Sequence, residues 1–398
     1  MIEAKFIAEK YGAEMALLIL LSRLQYKTAT PAEVQSFIHT EAVNWELFQK
    51  IITVHQVRPF VYNILTANAI QTDAAFHHKL KLATTRIATG NLLKLKELVH
   101  IQQLLKNSGV ESIPYKGVLL SKTLYNDYVS RETSDIDFII HPKDFATARE
   151  VLVADGYDST YYYNPEYRNL FLKSDNELLF DKSISEEKYK IEIHWAITHK
   201  MMAIPFRDEE LFRNTQRENV FNNEIEVLSL SNSLLVLLIH HGVNDVWRTV
   251  RHTIDIATFI GKYYSEIDWK EIARLTKQYR IYKTTCLGLS LCKEIYGIEI
   301  PEEFMTNDGL LKKIVHNMLR FPPIKRKKLS IENIFQQFRL RDSMQDKVRL
   351  SGAYLSTALL PNIRDVEAWP IPAKLRFLYY FIKPFRLLLS PLQKQNMK

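Results

Sequence analysis

The stretch Arg131–Pro142 reads RETSDIDFIIHP and sets two aspartates one residue apart at the mouth of an apolar run. A β-strand turns successive side chains to opposite faces, so positions two apart share a face. Asp135 and Asp137 therefore point one way, while Ile136, Phe138 and Ile140 point the other way, into a core. Paired carboxylates repel unless a cation neutralises them, and hard oxygen ligands suit Mg2+ or Mn2+. Taken alone, the same pair also fits a solvated strand end.

Upstream, VESIPYKG runs as a short strand into Gly117, and VLLSKTLYN follows as a helix. Such a junction aims free backbone N–H groups and the positive helix end at an anion. Gly117 allows close approach, and Lys116, Lys122 and Arg131 are the candidate phosphate cations. Downstream, PKDFATAREVLVADG reads as a helix between Pro142 and Gly156, and NELLFDKS and YKIEIHWAI read as two more strands. On the last strand Glu192 and His194 share one face, with Ile191, Ile193 and Trp195 on the other. If this strand lies beside the first acidic one, Glu192 faces Asp135 and Asp137 in a three-carboxylate pocket. His194 is either a partner orienting a metal-bound carboxylate or a satisfied structural histidine. Two ions held about 3.5–4 Å apart in such a pocket suit in-line phosphoryl or nucleotidyl transfer.

Around this centre the chain reads as helical. WELFQKIITVHQVRPFVYNIL and NLLKLKELVHIQQLLKNSG carry apolar residues at three and four spacing, and helices return from about residue 207. The expected fold class is α+β: an N-terminal helical region over 1–108, a small mixed β-sheet core over 109–206, and a C-terminal helical region with a basic tail over 207–398. In HHGVNDVWRTVRHTID a single helix would align His241, Asp245, Arg248, His252 and Asp255 on one face. That face binds nucleotide or acceptor, or it holds an Arg248, Arg251 and Asp255 ion-pair network that locks the helices to the sheet.

The 398 residues carry a net charge of +8, unevenly placed: from Gly309 onward there are 18 Lys and Arg against 5 Asp and Glu. A basic region meets nucleic acid, an anionic membrane surface or an acidic partner, and charge alone does not choose. The run IKRKK at 324–328 reads as a solvated loop. LRFLYYFIKPFRLLLSPLQKQ pairs aromatics with Lys374, Arg376, Lys383 and Arg386; docking on the protein's own helices is favoured over peripheral membrane contact, because Pro384 and Pro391 break the apolar runs. Two cysteines, Cys286 and Cys292, imply neither a disulfide framework nor a zinc site, which fits the reducing cytoplasm. The apolar run Met15–Leu21 is too short to span a bilayer and reads as a buried helix.

Strand, glycine, helix, then Ser-Asp-x-Asp on a strand and a later acidic strand resembles the DNA polymerase β-like nucleotidyltransferase superfamily. YKGVLLSKTLYNDYVSRETSDIDFII, EIHW, LLVLLIHHGVNDVWRTVRHTIDIATFI and YGIEIPEEF are similar, within it, to the bacterial nucleotidyltransferase family usually labelled uncharacterised. The resemblance implies transfer of a nucleoside monophosphate from a nucleoside triphosphate to an acceptor hydroxyl or phosphate, on a small molecule or modified peptide. It implies that Asp135 and Asp137 are the metal-binding pair, Glu192 the third carboxylate, Gly117 the phosphate-loop glycine and Ser134 a residue of the nucleotide side. Val118 departs from the pattern, since many members place serine or a second glycine there. Its side chain cannot bond a phosphate, and that task passes to backbone, Lys116, Lys122 or Arg131. Rival readings are transfer to tRNA or protein, as in toxin-like members, and a degenerate nucleotide-binding scaffold. A glycosyltransferase Asp-x-Asp is disfavoured, because no long nucleotide-binding α/β domain precedes it.

Overall fold

The computed structural model describes residues 1–159, 165–184, 187–323 and 331–383. The run 324–328 and the tail beyond 383, including Arg386, lie outside the described residues. The architecture is α+β, 63% helix and 10% strand.

Five strands form the central mixed sheet: β1 (Ser112–Pro114), β2 (Ile136–Ile140), β3 (Asp158–Ser159), β4 (Glu177–Ile184) and β5 (Glu187–His194), in the order β1-β2-β5-β4-β3. Among the described residues only the β2–β5 pairing is parallel. Every residue of β2 is buried, so the sheet is covered on both faces. Ile136, Phe138 and Ile140 pack with Leu98, Ile101 and Leu105 of the 34-residue helix Ala74–Asn107. On the opposite face Ile139 packs with Ile113, Tyr115, Ile197 and Ile239. Asp137 shares that second face, so a carboxylate is held against apolar packing.

The helix Ala74–Asn107 bridges two cores. Its Phe76 and Leu80 belong to a cluster in which the N-terminal helix Ala13–Gln25 packs with the C-terminal helices Val250–Tyr263 and Tyr282–Tyr296. Leu17, Leu21, Phe259, Leu289 and Ile295 are all fully buried there. The Met15–Leu21 run thus lies in the core of this bundle, and among the described residues no helix is long and apolar enough to cross a membrane.

Two expectations need correction. Residues 215–228 are not helical but form a hairpin, β6 (Thr215–Val220) and β7 (Asn223–Leu228). Its turn puts Phe221 and Asn222 at φ 51° and 61°, and a phenylalanine gives no turn signal in sequence. The segment from His241 to Asp255 is not one helix either. The helix Leu230–Leu237 widens into a π-turn over Leu238–Asn244, breaks at Val246 and Trp247, both with positive φ, and restarts at Val250. The cause is a slot for the Trp247 indole: a Cβ on Gly288 would stand 2.1 Å from the ring, so only glycine lets the helix Tyr282–Tyr296 come so close. In the described part of the tail, Tyr379 and Ile382 pack on the sheet core and Lys383 bonds the Thr357 and Leu360 carbonyls, as docking on the protein's own helices requires, while Leu375, Phe377, Tyr380 and Phe381 are exposed.

Candidate active site

Parallel pairing sets Asp137 directly opposite Glu192, and the antiparallel neighbour sets Glu177 opposite His194. Asp137, Glu192 and His194 offer ligand atoms within 4.8 Å of one another. His194 Nε2 lies 3.1 Å from Asp137 Oδ1 and 3.3 Å from Glu192 Oε2, while Nδ1 lies 3.1 Å from Glu177 Oε2. Asp135, just before β2, is half-buried and accepts a hydrogen bond from the Ser134 hydroxyl at 2.9 Å. Asp137, Glu192 and Glu177 thus converge on His194, while Asp135 stands just before β2 and acts on Asp137 electrostatically.

Lys116 is the residue before the helix Gly117–Tyr125, and its Nζ sits 2.9 Å from Asp137 Oδ1. No side chain caps this helix start. Gly117 takes φ +59°, and a Cβ there would meet the Asp135 carbonyl at 3.2 Å. Glycine is therefore required both by its backbone conformation and by the approach of the carboxylate strand. Val118 is 1% exposed and packs in the core under the sheet. Its hydrocarbon side chain is a packing requirement.

The electrostatics follow from burial. Burial alone would raise the Asp137 carboxyl, but Lys116 and His194 outweigh it and hold the group well below the usual carboxylate range. His194, which burial would push down, is lifted well above an ordinary imidazole by its hydrogen bonds to Asp137, Glu177 and Glu192. Asp135 is raised by burial and by Asp137, and Glu192 is raised mainly by burial. Nearby Asp208 accepts the Ile197 N–H at 2.8 Å, yet burial pushes its carboxyl up to about 7. The cage contains more carboxylates than local cations can neutralise.

Other expected residues lie elsewhere. Arg131 is buried, with Nε 3.1 Å from Asp255 Oδ1 and Nη2 2.9 Å from Oδ2, so its guanidinium is committed to Asp255 and not presented to phosphate. Lys122 donates to the Asn126 carbonyl at the far end of its helix, away from the glycine turn. Asp255 also accepts from His241 Nε2 at 3.1 Å. The lock between helices and sheet is therefore Arg131–Asp255–His241; Arg251 donates to the Glu132 carbonyl, and Arg248 is half-buried outside that lock.

Sequence reasoning missed Glu177, Tyr115, Lys94 and His240. Tyr115 is buried and meets the His194 ring edge-on at 5.3 Å. Lys94, on the long helix, is within electrostatic reach of Asp135. Strand alternation put Glu177 on a strand but not next to His194, because register between strands is a tertiary property.

A family model described as an uncharacterised nucleotidyltransferase matches residues 41–297, more than half of the chain. No curated protein and no solved structure matches it.

Proposed function

The chain belongs to the nucleotidyltransferase family whose model it matches, and from that premise we propose that it moves a nucleoside monophosphate from a nucleoside triphosphate to an acceptor on a small molecule or modified peptide, with Mg2+ or Mn2+ held by Asp135, Asp137 and Glu192. The observation that carries this reading is the pairing of Asp137 with Glu192 beside the uncapped, glycine-started helix.

The donor set fits a divalent cation. Asp137 is 4% exposed, and the Lys116 ammonium and the His194 imidazolium already crowd its Oδ1. An ion bound there would replace one of these two cations as the counter-charge of Asp137, with Glu192 beside it as a further oxygen donor. Bound there, the ion would neutralise triphosphate charge and acidify the acceptor hydroxyl. The chain's own groups do the rest. The backbone N–H groups at Gly117, Val118 and Leu119 and the helix dipole face the phosphates. Lys116, paired with Asp137 at 2.9 Å, adds a positive charge at the same point. Ser134 orients Asp135 through its hydrogen bond. Tyr115 excludes water from one side of the carboxylate cage.

The experiment is transfer of label from each nucleoside triphosphate labelled at the α-phosphate, compared with label at the γ-phosphate, in the presence of acceptor fractions. Label from the α-position retained on a small molecule or peptide supports the reading. Retention on RNA or protein would move the acceptor to a macromolecule. Retention of γ-label alone would make the enzyme a phosphotransferase and refute nucleotidyl transfer.

A further inference from the structure

We propose that His240, His241 and Asp245 form a second cation site, for a transition-metal ion of the zinc class, built from residues other than the carboxylate cage and independent of the function proposed above. Their ligand atoms lie within 4.8 Å of one another. His240 Nδ1 stands 3.4 Å from His241 Nδ1 and 3.3 Å from Asp245 Oδ2. A tetrahedral ion with metal–nitrogen bonds of about 2.0–2.1 Å has ligand–ligand edges of about 3.3–3.4 Å. The two separations from His240 match that edge, and the third pair of ligand atoms lies within 4.8 Å.

The tautomers are already arranged. Asp255 is ionised by Arg131 and can only accept, so Nε2 of His241 carries the hydrogen of their 3.1 Å contact. Nδ1 of His241 is then a bare lone pair on the side of His240. A ligand histidine whose outer nitrogen donates to a carboxylate is the usual support of a metal site. Here that support is buried, because Asp255 is 1% exposed. His252 stacks on the His241 ring at 4.4 Å and brings its Nε2 to 3.5 Å from Asp245 Oδ2, which steadies the carboxylate from the other side.

The backbone break has a consequence here. A regular helix would keep His241 and Asp245 on one face and turn His240 away from them; the π-turn over Leu238–Asn244 and the return at Asp245, whose N–H reaches the His240 carbonyl at 3.1 Å, bring His240 to the same point. The side chains of His240 and Asp245 are 26% and 35% exposed, leaving an entry path and a fourth position for solvent or a ligand atom. Two imidazole nitrogens with one carboxylate select zinc, cobalt or nickel over Mg2+, whereas the all-oxygen trio of Asp135, Asp137 and Glu192 selects the reverse.

The test is Co2+ titration of metal-stripped full-length protein, followed by visible d–d absorption and calorimetry, with metal analysis of the protein as purified. One equivalent of Co2+ with a tetrahedral-type band is expected, displaced by Zn2+. Binding weakens by more than about tenfold in His240→Ala and in Asp245→Asn, and the band is retained in Asp137→Asn. Circular dichroism checks the fold of each variant, and two independent variants keep the test open if one is unstable. Absence of stoichiometric binding, or a band lost in Asp137→Asn but kept in both His240→Ala and Asp245→Asn, overturns the proposal.

Discussion

His55 ties the N-terminal helices to the helix that supports the site, and it predicts a specific acid sensitivity. Its side chain is 1% exposed; Nδ1 accepts the Val250 N–H at 3.2 Å, and Nε2 is buried without a partner among the described residues. Val250 begins the helix that carries Asp255, and no side chain of its own N-cap Thr249 serves that start. The neutral ring is therefore an acceptor at a helix N-terminus, and a proton on Nδ1 would remove the bond and place positive charge on the positive end of the dipole. Burial lowers the imidazole to about 4 from its ordinary value of 6.5. The lowered value fixes the sign: between pH 6.5 and 4 the unfolded chain binds the proton and the folded chain does not, so stability is full above 6.5 and falls with acidification. At 1.36 kcal/mol per unit, the gap of about 2.5 units costs about 3 kcal/mol by pH 4 and adds nothing below it. Urea unfolding of wild type and His55→Gln across this window measures it, because glutamine keeps an acceptor and loses the titration. The difference between the two profiles should shrink by about 3 kcal/mol from pH 7 to pH 4. Parallel profiles would refute the reasoning.

Arg131→Met strands the buried Asp255 carboxylate and should cost about 3–5 kcal/mol, most of it recovered when Asp255→Leu is added; a double variant no more stable than the single would contradict the lock in denaturation experiments. Gly117→Ala must hold alanine at φ +59° with its Cβ 3.2 Å from the Asp135 carbonyl, a strain of about 1–2 kcal/mol. Thermal melting should show that loss, and calorimetry a weaker triphosphate affinity; unchanged affinity would remove the glycine turn from the phosphate site. Gly288→Ala places a Cβ 2.1 Å from the Trp247 ring, and overpacking of about 1–3 kcal/mol or more should appear as a lower Tm, whereas a neutral outcome would mean the indole has room to move.

The period-two pattern made β2 and β5 legible, since burial on one face and charge on the other leaves a mark in every second residue. Which strand lies beside which leaves no such mark. Asp137 and Glu192 are 55 positions apart, and only the parallel register sets them opposite each other. Glu177 stayed hidden for the same reason. Lys116 was legible as a cation beside a glycine turn, but its pairing with Asp137 depends on how β1 enters the sheet. The spacing of His241, Asp245, His252 and Asp255 reads as one helix face because helix periodicity is local; the Trp247 slot between Gly242 and Gly288 is tertiary and overrides it. Arg131 shows the same limit, as nothing local tells a buried arginine from an exposed one.

The most direct test of the central claim is a calorimetric titration of each of the four ribonucleoside triphosphates, with and without Mg2+, into wild type and Asp137→Asn. Mg2+-dependent binding of at least one triphosphate by wild type, abolished in a variant that remains folded, is the predicted result. Equal binding by both proteins, or none by wild type, would contradict a nucleotide site built on the carboxylates of β2 and β5.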